Sequence, residues 1–150
     1  FHNAHLRVIQ DILKKHDKII IAIGSSQHKG TPENPFSFKE RKDMVKAALK
    51  GAGIRNYKIV AIPDVYNDKK WVALIEKKVK KFDILYTGNP WTIRCFRNYG
   101  NKVKRISLIK GISSTIVRNR MRTGKEWRQL VPNEVYEYVK PLINKIYKVL

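Results

Sequence analysis

The sequence predicts an α/β protein: a doubly wound parallel sheet with helices on both faces. Short continuous apolar runs, typical of buried strands, alternate with stretches whose apolar residues recur every three or four positions, as in amphipathic helices. The polar loops between them contain Gly, Pro and Asn. Because helices that connect parallel strands pack on the faces of the sheet, this alternation favours a parallel sheet covered on both sides.

The helices are predicted from apolar spacing and from capping residues. Residues 3–16 form an amphipathic pattern, and Ser37-Phe-Lys-Glu40 is a capping box in which both side chains satisfy free amides of a first turn. This second helix runs to about Lys50. The remaining predicted helices are residues 68–81, a helix capped by Asn89 with Pro90 in its first turn, a helix capped by Ser113 or Ser114 that stops at Gly124, and a final helix opened by Pro132.

Four strands are predicted from the apolar runs. They are Lys18–Gly24, residues 57–62, Phe82–Tyr86 and Val103–Ile106. A doubly wound sheet normally begins with a strand, whereas this pattern begins with a helix. We therefore expect that the sequence as given lacks the first strand of the sheet.

Length and composition indicate one globular domain that spans residues 1–150. The chain contains 43% hydrophobic and 10% aromatic residues, which is enough to bury a core. Cys95 has no partner for an internal disulfide, as is usual in a reducing cytosol. The longest apolar run, Ile19–Ile23, is too short to span a bilayer, and no secretory leader opens the chain. These observations favour a soluble, cytoplasmic protein.

The charge balance is strongly basic. The chain has 32 Lys and Arg against 12 Asp and Glu, for a formal net charge of +20. Such a field attracts polyanions, although a solvated lysine-rich surface accounts for most of it. A nucleic-acid-binding module is one interpretation, but no known motif of that kind is present. The charge therefore favours phosphorylated small molecules as partners.

The first candidate site is the histidine pair in Phe1-His-Asn-Ala-His5. Two histidines three residues apart at the start of a helix lie on one side of its first turn. The free amides and the helix dipole at that point favour an anion. Taken alone, the same spacing is equally typical of metal ligands or of surface residues.

The second candidate site is Gly111-Ile-Ser-Ser-Thr-Ile-Val-Arg118. Its hydroxyl side chains stand where a helix begins, and they offer hydrogen bonds to phosphate together with the backbone amides. Arg118 follows one turn later with a guanidinium that can bind phosphate through two hydrogen bonds. The alternative is an ordinary serine cap followed by a surface arginine.

The third candidate site is the polar loop from Gly24 to Phe36. It follows directly on the carboxyl end of a predicted strand, which is the edge where ligands bind in open α/β sheets. Polar loops of this length are commonly functional in compact domains. The alternative is a simple connector.

Together these segments resemble a known family. His2-Asn-Ala-His5 resembles the H-x-G-H motif of the nucleotidyltransferase superfamily, and Ile112-Ser-Ser-Thr-Ile-Val-Arg118 resembles its I-S-S-T-x-x-R motif. Over essentially all 150 residues the sequence is similar to the archaeal-type nicotinamide-mononucleotide adenylyltransferases. The other matching stretches are Gly24-Ser-Ser-Gln27, Glu33-Asn-Pro-Phe36, Glu40-Arg41, Trp71-Val72, Gly88-Asn-Pro90, Trp127 and Leu130-Val-Pro132.

The resemblance implies a Rossmann-like nucleotidyltransferase that joins the AMP of ATP to nicotinamide mononucleotide (NMN), giving NAD and pyrophosphate. It implies His2, His5 and Arg118 as catalytic residues, a homo-oligomeric assembly, and Mg²⁺ carried by the ATP phosphates rather than by the protein. The residues that it implies for ATP are Ser113, Ser114 and Thr115 at the β- and γ-phosphates, and Gly88 and Asn89 near the adenosine.

For the NMN acceptor, the resemblance implies that Trp71 stacks on the nicotinamide ring. Core packing is the alternative, because Trp71 precedes Ile75 by four residues on a helix. The family often has Asn three residues before this Trp, a position held here by Asp68. The remaining acceptor candidates are Asn67 or Asp68 at the amide, Arg41 as a phosphate ligand or a surface cation, and Ser25.

Three features depart from the family pattern. Ala4 replaces the glycine of the first motif, which is tolerated only where the nucleotide does not press on that Cα. Gly30 stands where relatives often have a histidine, for which His28 is a nearby substitute. The family's glycine-arginine-phenylalanine-glutamine-proline stretch, whose arginine is a triphosphate ligand, has no counterpart before Phe1. An inactive relative is therefore one alternative.

Sister transferases that act on pantetheine phosphate, FMN or glycerol phosphate are the closest rival interpretation. The glycerol-phosphate and FMN types usually carry an arginine-threonine-glutamate-glycine stretch before the serine motif, which Leu108-Ile-Lys-Gly111 does not match. Trp71 and Glu33-Asn-Pro-Phe36 favour the nicotinamide substrate.

Overall fold

The structure is a computed structural model that describes residues 1–107 and 109–147. Leu108, in the stretch compared above with the sister transferases, lies outside the described residues. The elements follow in the order α1 (Asn3–Leu13), β1 (Ile19–Ile23), α2 (Phe38–Gly51), β2 (Tyr57–Ala61), α3 (Asp68–Val79), β3 (Leu85–Thr87), α4 (Pro90–Asn98), β4 (Val103–Arg105), α5 (Ser114–Arg122), a 3-10 turn (Arg128–Leu130) and α6 (Asn133–Tyr147).

The strands form two parallel pairs. β1 pairs with β2 in the register of Ile19 to Tyr57, and β3 pairs with β4 in the register of Leu85 to Val103. The crossover from β1 to β2 runs through α2, and the crossover from β3 to β4 runs through α4. The predicted α/β class with parallel strands is therefore confirmed, because parallel neighbours require such crossovers.

Alternate side chains of β2 face two different helical layers. Ile59 packs in an apolar cluster with Ile9 of α1 and Leu49 of α2, whereas Val60 packs with Val72 of α3 and with residues of α4. Successive side chains of a strand point to opposite faces of the sheet. Helices α1 and α2 therefore cover one face of the β1–β2 pair, and α3 and α4 cover the other.

A third apolar cluster holds the late helices against the early ones. It joins Met44 of α2, Val117 of α5, and Val135 and Val139 of α6, and Phe1 packs against its edge. Val139 and Val135 are 0% and 1% exposed. This burial fixes the start of α5 beside the start of α1, although the two are at opposite ends of the sequence.

The capping residues act as the sequence predicts. The Ser37 hydroxyl accepts the Glu40 amide hydrogen at 3.3 Å, and the Glu40 carboxylate accepts the Ser37 amide hydrogen at 2.7 Å, which completes the capping box. Asn89 caps α4 with its side chain. Of the two serines considered for α5, Ser113 is the cap. Gly124, just beyond α5, has a φ of +66°, a left-handed conformation that glycine adopts without strain.

Two predicted boundaries shift by about three residues. Helix α1 ends at Leu13 rather than at His16, whose imidazole instead forms a 2.9 Å hydrogen bond with the Tyr86 hydroxyl. Strand β3 begins at Leu85 rather than at Phe82, whose ring packs into the apolar cluster beneath α4. In α1 the tertiary contact accompanies an earlier end, and in β3 a later start, than local apolar spacing predicts.

The core predicts the effect of removing side-chain volume at Leu49, which is 0% exposed. Leu49→Ala is expected to lower the free energy of unfolding by about 2–5 kcal/mol, since it removes buried apolar contacts and leaves a cavity. Denaturant unfolding followed by circular dichroism measures the change. Lys50→Ala, at the exposed neighbouring position, is the control, and an equally stable Leu49→Ala protein would contradict the assigned packing.

Candidate active site

One cavity is lined by residues of α1, α2, α3 and α5 together with residues of β1 and β3. Both sequence motifs contribute to it. The predicted site residues that line this cavity are His2, His5, Arg41, Trp71, Ser114 and Arg118.

The two histidines form a stacked pair. Their ring centroids are 3.7 Å apart and their planes differ by 16°. His2 is the N-cap of α1 with an extended backbone, and the amide of His5 donates to the His2 carbonyl oxygen at 2.9 Å. The N-cap and third helical positions therefore bring the rings together on one side. Ala4 between them is 0% exposed, so its methyl group faces the protein interior rather than the cavity.

Burial keeps both imidazoles neutral at neutral pH. The pKa of His2 is lowered to about 4, chiefly by burial. The pKa of His5 is lowered to about 3, first by burial and then by His2. His2 is 1% exposed, and its Nδ1 atom has no hydrogen-bond partner among residues 1–107 and 109–147. A buried polar atom without a partner is unfavourable, so this atom is suited to a ligand that enters the cavity.

Arg41, in the first turns of α2, closes another part of the wall. Its guanidinium donates to the carbonyl oxygens of Gly24 and Ser25 at 2.8 and 2.9 Å, so it holds the start of the polar loop. Its Nε atom is buried and has no hydrogen-bond partner in the part of the chain that the structure describes. Burial lowers the pKa of Arg41. The structure therefore places this cation in the cavity wall rather than on the outer face of the helix.

The start of α5 brings the second motif to the cavity. Ser113 accepts the amide hydrogen of Ile116 at 3.2 Å, and Ser114 and Arg118 line the cavity. Arg118 also donates to the Thr115 hydroxyl at 3.4 Å. The Ser113 hydroxyl and the exposed Thr115 side chain are thus engaged in local contacts of the helix.

The two motifs meet at one point. Phe1, next to His2, packs against the apolar cluster that contains Val117 of α5, and Arg118 directly follows Val117 and lines the cavity. The imidazoles and the guanidinium of the late helix share one cavity, as a common phosphate ligand requires.

On the opposite side, Trp71 lines the cavity and also packs into the core. Its ring contacts Phe96 edge-on at 5.8 Å. The Asn67 side chain caps α3, accepting the Lys70 amide hydrogen at 2.9 Å. Burial and the adjacent Asp68 carboxyl raise the pKa of the Cys95 thiol, which places Asp68 against α4. Both proposed amide-binding residues therefore already have partners within the protein.

The Gly88-Asn89 turn lies at the carboxyl end of β3. The Asn89 amide donates to the Thr87 hydroxyl at 3.2 Å, and the Asn89 side chain caps α4 by accepting the Trp91 amide hydrogen at 2.9 Å. Thr87 lines the cavity. The turn therefore stands at the rim, next to the cavity wall.

Asp64 is a residue that the sequence reasoning missed. Its carboxylate accepts the Ser25 hydroxyl hydrogen at 3.2 Å and lies 3.5 Å from Nε2 of His28. Its amide donates to the Gln27 side chain at 3.1 Å. These contacts tie the polar loop to the segment after β2. The only sequence signal is the Ile62-Pro-Asp64 stretch, an acidic residue just past a strand's carboxyl end.

Comparison with known proteins identifies the family. Residues 1–120 match the cytidylyltransferase-like family. The chain is 38% identical over 137 residues to the nicotinamide-nucleotide adenylyltransferase of Picrophilus torridus, covering 90% of this chain and 81% of the relative. It is 35% identical over 144 residues to that of Pyrococcus abyssi, covering 94% of this chain and 77% of the relative. The chain belongs to the nicotinamide-nucleotide adenylyltransferases.

Solved structures show the same fold as this adenylyltransferase-family chain. A bifunctional NMN adenylyltransferase/ADP ribose pyrophosphatase from Francisella tularensis superposes with a TM-score of 0.84 at 26% identity, covering 99% of this chain. Its complex with AMP and a Mn ion gives 0.81 at 24% identity. This chain spans 48% of those bifunctional chains. The predicted Rossmann-like nucleotidyltransferase fold is confirmed.

Membrane-spanning helices and clusters of metal-ligating side chains are both absent from the described residues of this adenylyltransferase-family chain. Within residues 1–107 and 109–147, no helix is long and apolar enough to cross a membrane. In the same part of the chain, no group of three or more His, Cys, Asp and Glu side chains is placed to hold a metal ion.

The histidine pair predicts a pH dependence of stability. The folded-state pKa values of about 4 and 3 lie below the ordinary value of 6.5. At pH values between the folded-state and the ordinary pKa, the unfolded chain therefore binds more protons than the folded chain. As far as these two histidines are concerned, the folded protein is most stable above pH 6.5, and its stability falls as the pH is lowered from 6.5 through 4 and 3. The His5 contribution lowers the free energy of unfolding at pH 5 by about 2 kcal/mol relative to neutral pH.

Denaturant unfolding at about pH 7.5 and pH 5 measures this loss. His5→Gln keeps a polar side chain that does not titrate in this range, so its stability is expected to fall less on acidification than that of the wild type. Gln10→Ala, at an exposed position of the same helix, is expected to keep the full wild-type slope. Equal slopes for the wild type and His5→Gln would contradict a buried neutral imidazole.

Proposed function

We propose that this chain transfers the AMP of ATP to NMN, forming NAD and pyrophosphate, where its two motifs meet. The observation that carries the proposal is the convergence of His2, His5, Ser114 and Arg118 on one cavity from opposite ends of the sequence. The buried Nδ1 atom of His2, which has no hydrogen-bond partner among the described residues, adds a position for a hydrogen bond to phosphate. Family membership supports the same reaction.

The chemistry suits the side chains of this cavity. A phosphate oxygen of NMN attacks the α-phosphorus of ATP, a new P–O bond forms, and the bond to the bridging oxygen of the β-phosphate breaks. The attacking phosphate is already ionised at neutral pH, so the protein need not supply a general base. The barrier arises from bringing two polyanions together, and it is lowered by alignment and by positive electrostatics.

On the ATP side, His2 and His5 bind phosphate oxygens and stabilise the charge that gathers there. Neutral imidazoles donate hydrogen bonds, and the nearby phosphates raise their pKa so that either ring can take up a proton. Arg118, Ser113, Ser114 and Thr115 hold the β- and γ-phosphates at the start of α5. The free amides and dipole of that helix act in the same direction.

Mg²⁺ enters with ATP in this proposal. The phosphate oxygens of ATP would hold the ion, which would supply positive charge beside them. Arg41 and Arg118, which line the cavity, add positive charge from the protein itself.

On the NMN side, the exposed part of the Trp71 ring stacks on the nicotinamide, and Arg41 binds the NMN phosphate. Ser25 and either Asn67 or Asp68 orient the amide and the ribose. Gly88 and Asn89, at the rim, lie beside the adenosine. We further propose a cytoplasmic homo-oligomer with nucleotides as its partners, on the basis of the family resemblance and the single unpaired cysteine.

An acceptor panel tests the substrate. Protein mixed with ATP and Mg²⁺ is expected to release pyrophosphate with NMN, but not with pantetheine phosphate, FMN or glycerol phosphate. A coupled pyrophosphate assay measures the release, and chromatography identifies NAD as the product. If the protein turns over a different acceptor and not NMN, that acceptor is the substrate. Absence of turnover together with tight, salt-sensitive binding to DNA or RNA would favour the nucleic-acid interpretation.

The histidine pair is tested by substitution. His5→Ala is expected to lower kcat by about 10²–10³-fold while the fold is retained, since it removes a donor that acts on the developing phosphate charge. Gln10→Ala on the exposed face of α1 is expected to leave kcat unchanged. Near-normal turnover of a folded His5→Ala protein would refute the assigned role.

A further inference from the structure

Two indoles meet at the contact between α3 and α4. The ring centroids of Trp71 and Trp91 are 4.5 Å apart and their planes are tilted by 42°. Trp71 also contacts Phe96 edge-on, at 5.8 Å and 80°. Phe96 is 0% exposed, whereas Trp91 is 36% exposed. The Trp71 ring is therefore held between a fixed core ring and an outer ring at the surface.

Trp91 is connected to the cavity through its contact with Trp71. Trp71 lines the cavity wall, while Trp91 packs against Trp71 from the more exposed side. The proposed machinery does not assign a role to Trp91. A large, partly exposed aromatic side chain that packs on another aromatic ring is suited to fixing the orientation of that ring.

The backbone of Trp91 is itself fixed. The Asn89 side chain accepts the amide hydrogens of Trp91 and Thr92 at 2.9 and 3.3 Å, and Pro90 occupies the first turn of α4. Thr92 lines the cavity one residue further on. The first turn of α4 therefore links the rim turn proposed to lie beside the adenosine to the ring proposed to stack on the acceptor.

We propose that Trp91 is a positioning residue that holds the Trp71 indole in the orientation that receives the aromatic base of the acceptor nucleotide. This inference rests on the proposed function. In addition to the burial of apolar area, a contact between two aromatic rings contributes a free energy that corresponds to about a two- to tenfold change in affinity. Loss of Trp91 therefore weakens the acceptor side of the reaction and leaves the ATP side unchanged.

The test compares Trp91→Phe, Trp91→Leu and Trp91→Ala in the full chain. Trp91→Ala is expected to raise the KM for NMN about two- to tenfold, with the KM for ATP and the kcat at saturating NMN within twofold of wild type. Trp91→Phe, which keeps a ring, is expected to restore most of the NMN affinity. Trp91→Leu, which keeps apolar cover without a ring, is expected to resemble Trp91→Ala.

Tyr99→Ala is the matched control, because it removes another exposed aromatic ring, 45% exposed, just beyond the last turn of α4. It is expected to leave both KM values unchanged. A spectroscopic readout accompanies the kinetics: coupling between adjacent indoles produces a circular dichroism couplet. The couplet is expected to disappear in Trp91→Ala and in Trp71→Phe, and to persist in Tyr99→Ala.

The outcomes separate this inference from the proposed function. If the wild-type protein makes no NAD, the proposed function fails. If the wild type makes NAD while the KM for NMN of folded Trp91→Ala is unchanged, or if both KM values rise equally, the positioning role is overturned. Restoration by Trp91→Leu as complete as that by Trp91→Phe overturns it as well. If Trp91→Ala does not fold, the comparison of Trp91→Leu with Trp91→Phe decides whether Trp91 has the positioning role.

Discussion

Everything in this active site depends on one packing arrangement: α5 is held beside the start of α1 by the apolar cluster that α2 and α6 complete. Val117 of α5 and Met44 of α2 are buried in that cluster. Their burial brings Arg118 to the same cavity as His2 and His5, from the opposite end of the chain. The hydrophobic effect, which is not directional, thus sets the distance between groups whose chemistry is strongly directional.

The same arrangement leaves polar groups in an unfavourable state. Among the described residues, a buried nitrogen of His2 and the buried Nε atom of Arg41 have no hydrogen-bond partner, and burial holds both imidazoles neutral. Such groups reduce stability in the absence of a ligand. The phosphates of the two proposed substrates offer oxygen acceptors and negative charge to these groups. The unfavourable features of the free protein are therefore favourable contacts for the proposed substrates, which is the property expected of a preorganised electrostatic site.

The structure shows the surroundings of the residues that depart from the family pattern. The methyl group of Ala4 is wholly enclosed by protein, so it occupies no volume that a ligand in the cavity requires. His28 lies beside Asp64, which also binds the Ser25 hydroxyl and so organises the polar loop as a unit. Asp64 was not recognisable from the sequence, because its three partners belong to a loop almost forty residues earlier and share no periodic pattern with it.

Local sequence alone determined the helices, their caps and the parallel α/β class, because capping boxes, helical spacing and apolar runs act over a few residues. It also indicated Ser113 or Ser114 as a cap and the two motifs as phosphate sites. Only the tertiary structure decided that α1 ends before His16, that β3 begins at Leu85, and that Trp91 packs on Trp71. These outcomes depend on contacts between elements distant in sequence, whose geometry is set by how the whole core packs rather than by local preference.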